Sequence, residues 1–329
     1  MPIAFVTGAT GFIGSHVVQC LLEKGFSVCA LARPGSRHPD LVGMEVEWRT
    51  GDIRSPKQVW EAMEGCDAVF HIAADYRLWC RNPEEIYETN VQGTVHVLEA
   101  ALARGVKRVV YTSSVGALGL GNHGVPADET APVCIEDMVG HYKRSKFLAE
   151  RRAEDFLRQG LPLVMVHPST PVGPGDLKPT PTGKIIVDFL NGRMPAYLNT
   201  GLNLVHVKDV AEGHWLALER GNVGEKYILG NQNLTLAEIF QRLEKISGVP
   251  APRIRLPYTP ILVLAKLNDW ISRATGVEPL IPLEGVRMAR KYMFFNPEKA
   301  VRELGLPQTP VDVALAEAVA WFRDHGYAP

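Results

Sequence analysis

Short apolar runs alternate with segments of helical periodicity along the first half of the chain. The runs predict six β-strands, at residues 3–7, 27–32, 46–49, 68–72, 109–113 and 163–167. Between them, apolar residues recur at helical spacing and predict helices from the first glycines to about Lys24, at about 84–103 and at about 142–159. This alternation is typical of βαβ units, so we expect an α/β fold with a doubly wound parallel sheet.

The composition of the sequence changes after Pro168. Residues 168–184 hold many prolines and glycines, which predicts a mobile loop on the substrate side. Beyond this loop we expect strands at 204–207 and 226–229 and helices at 236–247, 261–274, 283–291 and 311–324. We therefore expect a first domain over 1–168, with segments at about 204–230 returning to its sheet, and a smaller, mostly helical lobe over 169–329.

Composition and charge exclude several classes of protein. Apolar residues make up 46% of the 329 residues, and 35 Lys and Arg balance 36 Asp and Glu, so we expect a packed core and no nucleic-acid partner. The five cysteines show no CxxC spacing, which argues against a disulfide framework and against a zinc site. Without an apolar run long enough for a transmembrane segment or a signal peptide, the sequence predicts a cytoplasmic protein without a metal.

A glycine-rich turn follows the first predicted strand and opens the first predicted helix. It reads Thr7-Gly8-Ala9-Thr10-Gly11-Phe12-Ile13-Gly14. Gly8 permits a tight turn, Gly11 lets the backbone approach a pyrophosphate, and Gly14 allows the helix to pack closely on the strand. The phosphate would lie at the helix N-terminus. The turn thus predicts a dinucleotide cofactor, with Thr10, Phe12 and Ile13 as further binding residues.

The residue that discriminates between NAD and NADP is expected just after the second strand. NAD sites usually carry a carboxylate there, whereas this chain has Arg33, with Arg37 and His38 close by. A guanidinium can pair with a ribose phosphate and stack on adenine, so we expect a preference for NADP(H), with NAD(H) as the alternative cofactor. The competing interpretation of Arg33 is a solvated side chain in a loop.

Two further strand ends carry candidate cofactor contacts. Asp52 and Ile53 follow the third strand, where a carboxylate can accept a hydrogen bond from the adenine amino group; an ordinary aspartate turn is the alternative. Ala73 and Ala74 follow the fourth strand, where small side chains let a ribose or nicotinamide lie close. His71, just before them, is expected to be structural rather than catalytic.

A tyrosine and a lysine four positions apart are the candidate chemical groups. Tyr142 and Lys146 fall on one face of a predicted helix. A phenol is a poor base at neutral pH, but an adjacent ammonium and a cationic nicotinamide stabilise the phenolate and favour proton transfer. Ser114 closes the fifth strand and is favoured over Ser113 for binding the reacting oxygen; satisfying the backbone at the strand end is the alternative role.

Taken together, these motifs resemble the extended short-chain dehydrogenases/reductases, which include NAD-dependent epimerases and dehydratases. The matching segments are, in order, the TGxxGxxG turn, GDI at 51–53, HIAA at 71–74, NVQGT at 90–94, TSSV at 112–115, YxxxK at 142–146 and PST at 168–170. Segments at 73–79, 143–150, 168–174 and 178–192 are similar to a subgroup with hopanoid-associated sugar epimerases, dihydroflavonol reductases and hydroxysteroid dehydrogenases. The resemblance covers nearly the whole chain.

The resemblance implies a Rossmann domain that binds NAD(P) and a catalytic set of three residues. In this family Tyr142 would exchange the hydroxyl proton, Lys146 would bind the nicotinamide ribose and lower the pKa of Tyr142, and Ser114 would polarise the carbonyl. Both Tyr142 and Lys146 thus also contact the cofactor.

The resemblance also implies contacts and an assembly that the residues alone do not indicate. It places Pro168, Ser169 and Thr170 beside the cofactor and gives Asn90 a chiefly structural role. Many relatives pair the helices that correspond to about 84–103 and 142–159 in a four-helix interface, so we expect a homodimer.

Departures from related patterns narrow the reaction. Val115 and Gly116 follow Ser114 where sugar-nucleotide dehydratases carry acidic residues, which argues against dehydration. Residues 201–207 lack the Arg-Asp pair with which nucleotide-sugar epimerases clamp a pyrophosphate, and His206 there is expected to be structural. The main prediction is hydride transfer between NADP(H) and a ketone or secondary alcohol of a hydrophobic substrate, with polycyclic hopanoids or sterols as candidates.

Two other functions remain open, an epimerase of a sugar or polyol linked to hopanoid metabolism and a non-catalytic NADP-sensing protein. Asp75, Tyr76 and Trp79, after the fourth strand, are candidate substrate contacts beside Ser114. The apolar helix around 258–271 is expected to pack in the core. A hydrophobic substrate gorge and peripheral contact with the inner membrane surface are the alternatives for this helix.

Overall fold

In the computed structural model, which describes residues 1–121 and 125–329, seven parallel strands form the main sheet. They are β1 (Ile3–Thr7), β2 (Ser27–Ala32), β3 (Val46–Thr50), β4 (Ala68–His71), β5 (Arg108–Thr112), β6 (Leu163–Pro168) and β10 (Lys226–Leu229). Across the sheet their order is β3-β2-β1-β4-β5-β6-β10. The expected α/β fold with a doubly wound Rossmann sheet is confirmed.

Helices cover both faces of this sheet. One face carries α1 (Phe12–Glu23), α7 (Val207–Arg220) and α11 (Glu298–Leu304), and the other carries α2 (Pro56–Ala62), α4 (Gly93–Arg104) and α5 (Gly140–Arg158). Each face has its own core: Ala4 and Val6 of β1 point into the first and Phe5 into the second, all three fully buried. Burial on both faces explains why the inner strands are nearly continuous apolar runs, whereas the edge strand β3 carries Glu47 and Arg49.

The predicted helix at about 84–103 is divided in the structure. A short helix α3 (Glu84–Tyr87) is followed by a π-helical turn at Glu88–Gln92, and α4 continues from Gly93. Gly93 lets the helix pack closely on Ile53, since a β-carbon there would lie 2.7 Å from the Ile53 side chain. The turn contains Asn90, whose contacts are described with the site.

The smaller lobe is mostly helical, as expected. Helices α6 (Pro181–Leu190), α8 (Leu236–Ser247) and α12 (Val311–Asp324) share one apolar core, and α9 (Tyr258–Thr275) packs chiefly on α10 (Leu283–Met288). Two small sheets complete the lobe, formed by β7 (Thr170–Val172), β9 (Gly201–His206) and β11 (Gln232–Thr235), and by β8 (Ala196–Leu198) and β12 (Ile254–Leu256).

Residues 168–184 are more ordered in their secondary structure than the predicted loop. They contain β7 and the start of α6, which Thr180 caps by accepting a hydrogen bond from the Gly183 backbone at 3.1 Å. The carboxylate of Asp176 accepts a hydrogen bond from the Thr180 backbone at 2.9 Å. Pro181 suits the first helical turn because that position needs no N–H donor, so a proline-rich sequence begins a helix here.

Two further expectations for the second half of the chain need correction. Only β10 of the segment at about 204–230 joins the main sheet; β9 pairs with β7 and β11, and α7 follows it because His206 accepts a hydrogen bond from the Lys208 backbone at 3.0 Å. Helix α9 does not lie in the core, since Ala265 and Ser272 are its buried residues and most of its large apolar side chains are exposed.

Within the described ranges, the helices all lack the combination of length and apolar character that a membrane span requires. The same residues show no grouping of His, Cys, Asp and Glu side chains that could hold a metal ion.

Candidate active site

The glycine turn lies at the carboxyl edge of the sheet and is packed too tightly for side chains. Gly8 has a left-handed backbone (φ 79°), and a β-carbon there would lie 2.6 Å from the backbone nitrogen of Ala73. A β-carbon on Gly14 would lie 2.0 Å from the carbonyl oxygen of Gly8. Gly11 begins α1 without a side-chain cap from the described residues. The first N–H groups of α1 can therefore bind an anion.

The neighbouring strand ends suit a dinucleotide that spans this edge. The Ser169 hydroxyl is buried and has no hydrogen-bond partner among the described residues. It lies between Pro168 at the end of β6 and Thr170 at the start of β7. A hydroxyl of this kind can hydrogen-bond a polar group of a bound molecule. Together with the glycine turn, it shows that these residues fit an NAD(P) cofactor.

The other predicted cofactor residues surround the same turn. Thr10, Phe12 and Ile13 are partly buried in the turn, and Ala73 donates its backbone N–H to Thr7 Oγ1 at 3.2 Å, with Ala74 partly buried beside it. Small residues at this strand end leave room beside the glycine turn.

Arg33 and Asp52 lie near each other at the ends of β2 and β3. Arg33 is exposed, and its charge is one of the groups that lower the pKa of Asp52. The main cause is Arg54, which binds the Asp52 carboxylate with N···O distances down to 2.8 Å. Ile53 is buried next to them, under Gly93. The Asp52 carboxylate is thus held by Arg54, while Arg33 extends toward solvent.

The proposed helpers of Arg33 are engaged elsewhere. The Arg37 guanidinium lies over the Trp48 ring, 4.4 Å from its centroid. His38 is buried, with Nε2 3.3 Å from the Gly175 carbonyl oxygen. Both side chains thus have contacts within the protein, and their assistance to Arg33 stays a prediction.

Tyr142 and Lys146 lie on one face of α5, opposite the end of β5. Burial raises the pKa of Tyr142, and a hydrogen bond with Ser114 lowers it in part. Burial lowers the pKa of Lys146 to about 8, and its ammonium donates to the Thr112 carbonyl at 2.7 Å. Ser114 Oγ accepts the Gly116 backbone N–H at 3.0 Å. The three predicted catalytic residues are therefore brought to one place.

A buried ionic network behind this set was missed from sequence. Glu150 follows Lys146 by one helical turn and accepts hydrogen bonds from Ser113 Oγ, from His167 Nε2 at 2.8 Å and from Lys226 at 2.6 Å. Burial raises the pKa of Glu150, but the charges of His167 and Lys226 outweigh this and hold it well below its usual range. The signal was present as a glutamate four residues after the lysine.

Asn90 connects the loop after β4 to α5. Its side chain accepts from the Asp75 backbone N–H at 2.7 Å and donates to the Asp75 carbonyl and to Ser145 Oγ, both at 2.8 Å. These bonds agree with the structural role expected for Asn90. The Asp75 carboxylate is paired with Arg77 at 2.6 Å.

The other two candidate substrate residues lie on the same loop. Tyr76 donates its hydroxyl to the Lys178 carbonyl at 3.3 Å, so it links this loop to the residues before α6. Burial raises the pKa of Tyr76, and the nearby groups Asp176, Asp75 and Tyr142 add to this. Trp79 is partly buried farther along the loop. Tyr76 therefore lies close enough to Tyr142 for the two phenols to influence each other's ionisation.

Two histidines near the site are structural, as expected. His71 is buried between Thr7 Oγ1 at 2.8 Å and Thr94 Oγ1 at 2.9 Å, and burial, followed by the charge of Lys146, lowers its pKa to about 3. His206 caps α7 and lies 3.4 Å from Glu317. Both imidazoles are occupied by protein groups.

Comparisons with known proteins agree with this geometry. The profile of the NAD dependent epimerase/dehydratase family matches residues 4–230. A Synechocystis protein named "Putative dihydroflavonol 4-reductase" is 45% identical over 327 residues, which cover 98% of this chain and 95% of that protein. Sterol demethylase protein B of Methylococcus capsulatus is 34% identical and covers 98% of both chains.

A solved structure shows the same fold over the full length. A nucleoside-diphosphate-sugar epimerase from Pseudomonas aeruginosa superposes with a TM-score of 0.83 and 28% identity, covering 100% of this chain and 99% of that one. The sequence resemblance to extended short-chain dehydrogenases/reductases, with a dihydroflavonol reductase-like subgroup, is confirmed. The chain is an enzyme of the NAD dependent epimerase/dehydratase family, with the oxidoreductase chemistry on which that family is built.

Proposed function

We propose that this enzyme transfers hydride between NADP(H) and a ketone or secondary alcohol of a hydrophobic, polycyclic isoprenoid substrate such as a hopanoid or sterol. The observation that carries the proposal is the meeting of Ser114, Tyr142 and Lys146 at the same edge of the sheet as the glycine turn. Residues 1–168 would hold the cofactor and residues 169–329 would contribute the substrate lobe.

In the reducing direction, the substrate carbonyl receives a hydride at carbon and a proton at oxygen. Nicotinamide, when bound, supplies the hydride and becomes oxidised. Tyr142 donates the proton to the oxygen as the C=O π bond breaks, and takes a proton back from solvent. Ser114 donates a hydrogen bond to the developing oxyanion. Lys146 stabilises the Tyr142 phenolate by its charge and would hold the nicotinamide ribose by a hydrogen bond.

The buried network distinguishes the two serines. Ser113 donates to Glu150, so its hydroxyl is committed to the network, whereas the Ser114 hydroxyl accepts from the Gly116 backbone and is hydrogen-bonded with Tyr142. This supports Ser114 as the residue that binds the reacting oxygen.

The preference for NADP(H) over NAD(H) rests on Arg33. β2 ends without a carboxylate, and Arg33 is exposed next to Asp52, at the place where a ribose phosphate would lie. The neighbouring acid, Asp52, is neutralised by Arg54. A phosphate beside Arg33 would therefore meet a net cationic surface.

The names of two relatives favour a ring substrate, since they refer to a dihydroflavonol and to a sterol. An epimerase of a hopanoid-linked sugar or polyol is the alternative that the family and the structural neighbour support. The same three residues would serve it, with hydride returned to the opposite face of the carbonyl.

We further propose a cytoplasmic homodimer. A groove between α3, the π-helical turn and α5 is lined by Tyr87, Val91, His141 and Leu148 and by the carboxylates of Glu84, Glu85 and Glu88. Leu148 on α5 is 38% exposed and Tyr87 on α3 is half-buried, and apolar side chains of this kind on two adjacent helices are suited to a helical interface.

A panel of soluble ketones and alcohols tests the proposed activity. We expect purified enzyme to change the NADPH absorbance with at least one bulky ring compound, and Tyr142→Phe to lose this activity while it still binds NADPH. Tight NADPH binding by both proteins with no turnover of any compound would instead identify the non-catalytic sensor.

A further inference from the structure

Helix α9 carries an exposed apolar stripe. Val263, Leu264, Leu267, Trp270 and Ile271 are between 50% and 71% exposed. Their helical spacing puts them on one side of α9, opposite the buried Ala265 and Ser272. We call these five side chains the α9 apolar face. A cluster of large apolar side chains on a surface helix indicates a contact outside the chain.

The apolar surface does not end with the helix. Val277 and Leu280 follow α9 and are 66% and 93% exposed. α9 packs chiefly on α10 within the chain, and its outer side is exposed.

The segment around α9 is cationic although the whole chain is not. Residues 253–291 contain seven Lys and Arg and three Asp and Glu, a net charge of +4, against −1 for all 329 residues. The seven cations are all exposed and are Arg253, Arg255, Lys266, Arg273, Arg287, Arg290 and Lys291. Of the three acids, Asp269 is paired with Arg273 at 2.9 Å, and Glu284 accepts from the His141 backbone at 3.1 Å.

We propose that the α9 apolar face docks on the surface of a bilayer that contains anionic lipids. An apolar stripe with a tryptophan, bordered by Lys266 and Arg273 on the helix, has the pattern of helices that lie in the membrane interface. A second copy fits this surface poorly. A two-fold pairing of α9 would bring the cationic borders of both copies together.

The docking surface adjoins the candidate active site. Glu284, on α10, binds the backbone of His141, one residue before Tyr142. At the other end of α9, the Arg81 guanidinium lies against Gly276, the residue that caps the helix. Arg81 directly follows the loop that carries Tyr76 and Trp79. A bilayer at α9 would therefore lie beside the elements that flank the candidate active site. A lipid substrate could then enter without crossing water; this last step rests on the proposed function.

Vesicle co-sedimentation of the full-length protein tests the docking. We compare phosphatidylcholine vesicles with vesicles that also contain phosphatidylglycerol, at low and high salt. The apolar variant combines Leu264→Ser, Leu267→Ser and Trp270→Ser, and the charge variant combines Lys266→Gln and Arg273→Gln. A matched control combines Val42→Ser, Val223→Ser and Val313→Ser, which are exposed apolar positions elsewhere.

We expect wild type and control to bind the anionic vesicles, and each of the other variants to bind about tenfold less. Equal binding by the apolar variant, or no binding by wild type, would overturn the docking. A doubled mass in solution that the apolar variant abolishes would identify a second copy as the occupant instead and would also overturn it. Thermal unfolding and NADPH binding, measured on every variant, exclude misfolding as the cause.

Turnover separates this inference from the proposed function. Activity on a detergent-dispersed lipid without vesicle binding would leave the function standing and remove the docking. Vesicle binding with no lipid turned over would leave the docking standing and remove the substrate assignment. We expect the apolar variant to keep its activity on a water-soluble ketone and to lose at least tenfold on a vesicle-embedded substrate.

Discussion

Glu150 is the acidic group that helps Lys146 keep its proton. Burial lowers the pKa of the Lys146 ammonium to about 8, and the charge of Glu150, one helical turn away on α5, opposes this decrease. Below this pH Lys146 carries the charge that stabilises the Tyr142 phenolate. Above it the charge is lost, and proton transfer by Tyr142 becomes harder.

This relationship predicts the alkaline limb of the pH–rate profile. We expect kcat/KM for reduction to fall above about pH 8. Glu150→Gln should move that limb to lower pH by about one unit, because it removes the charge that favours the ammonium. The control is Glu154→Gln. Glu154 also accepts a hydrogen bond from Lys226, at 2.9 Å, but it lies one helical turn farther from Lys146 than Glu150 does. An unchanged limb in Glu150→Gln would refute the role of Glu150.

Asp176 predicts a pH dependence of stability. Burial raises the pKa of this carboxyl to about 6. The folded state therefore holds the proton at pH values where the unfolded state has lost it, so the free energy of unfolding falls as pH rises from about 4 to 6. Asp176→Asn should reduce the difference in the free energy of unfolding between low and neutral pH by roughly 2 kcal/mol. Urea unfolding at pH 4.5 and pH 7.5 measures it, with Asp188→Asn on α6 as the control.

Arg33 predicts the cofactor preference. Arg33→Ser should weaken NADPH binding by about ten- to a hundredfold, since a charge-assisted hydrogen bond to the phosphate is lost, and leave NADH binding unchanged. Arg37→Ser, four residues along and stacked on Trp48, should change neither affinity by comparison. Titration of both variants with each cofactor decides this, and equal losses for NADPH and NADH would argue against a phosphate contact.

Gly14 predicts a steric limit at the cofactor turn. A β-carbon at this position would lie 2.0 Å from the Gly8 carbonyl oxygen, so Gly14→Ala must displace α1 from β1. We expect a loss of about 2–4 kcal/mol of stability and of most NADPH affinity. Gly285→Ala on α10 is the matched control, because its nearest neighbour would be 4.0 Å away. Thermal melts with and without NADPH compare the two.

Leu148 predicts the dimer interface. Placing a charge there by Leu148→Arg should convert the protein to monomers at micromolar concentration, because association would then have to remove water from a guanidinium. Light scattering of wild type, Leu148→Arg and Val42→Arg gives the masses. A monomeric wild type, or a dimer in all three proteins, would contradict the proposed four-helix interface.

The order of motifs predicted the sheet because the apolar runs of β1, β4, β5 and β6 are buried on both faces. The helix at 181–190 was missed because proline was taken as a breaker, although Pro181 occupies the one helical turn that tolerates it. The position of β9 could not be predicted, since β9 and β10 have similar apolar patterns and differ in which strands they meet.

The site could be predicted where local spacing decides geometry. Tyr142 and Lys146 share a helix face, and Gly8 and Gly14 share a turn. The proximity within each pair could therefore be predicted from their spacing in the sequence. Contacts between distant segments could not be predicted. His167 on β6 and Lys226 on β10 both meet Glu150 on α5. The same limit applies to α9, whose apolar residues indicate burial in sequence but lie at the surface.

Transfer of deuterium from labelled NADPH tests the central claim most directly. Wild type and Tyr142→Phe are incubated with the cofactor and a lipid extract rich in hopanoids and sterols, and cofactor absorbance and product masses are followed together. The account predicts net cofactor oxidation, dependent on Tyr142, with deuterium on the carbinol carbon of a lipid alcohol. An isomerised product without net cofactor turnover would contradict it and favour the epimerase.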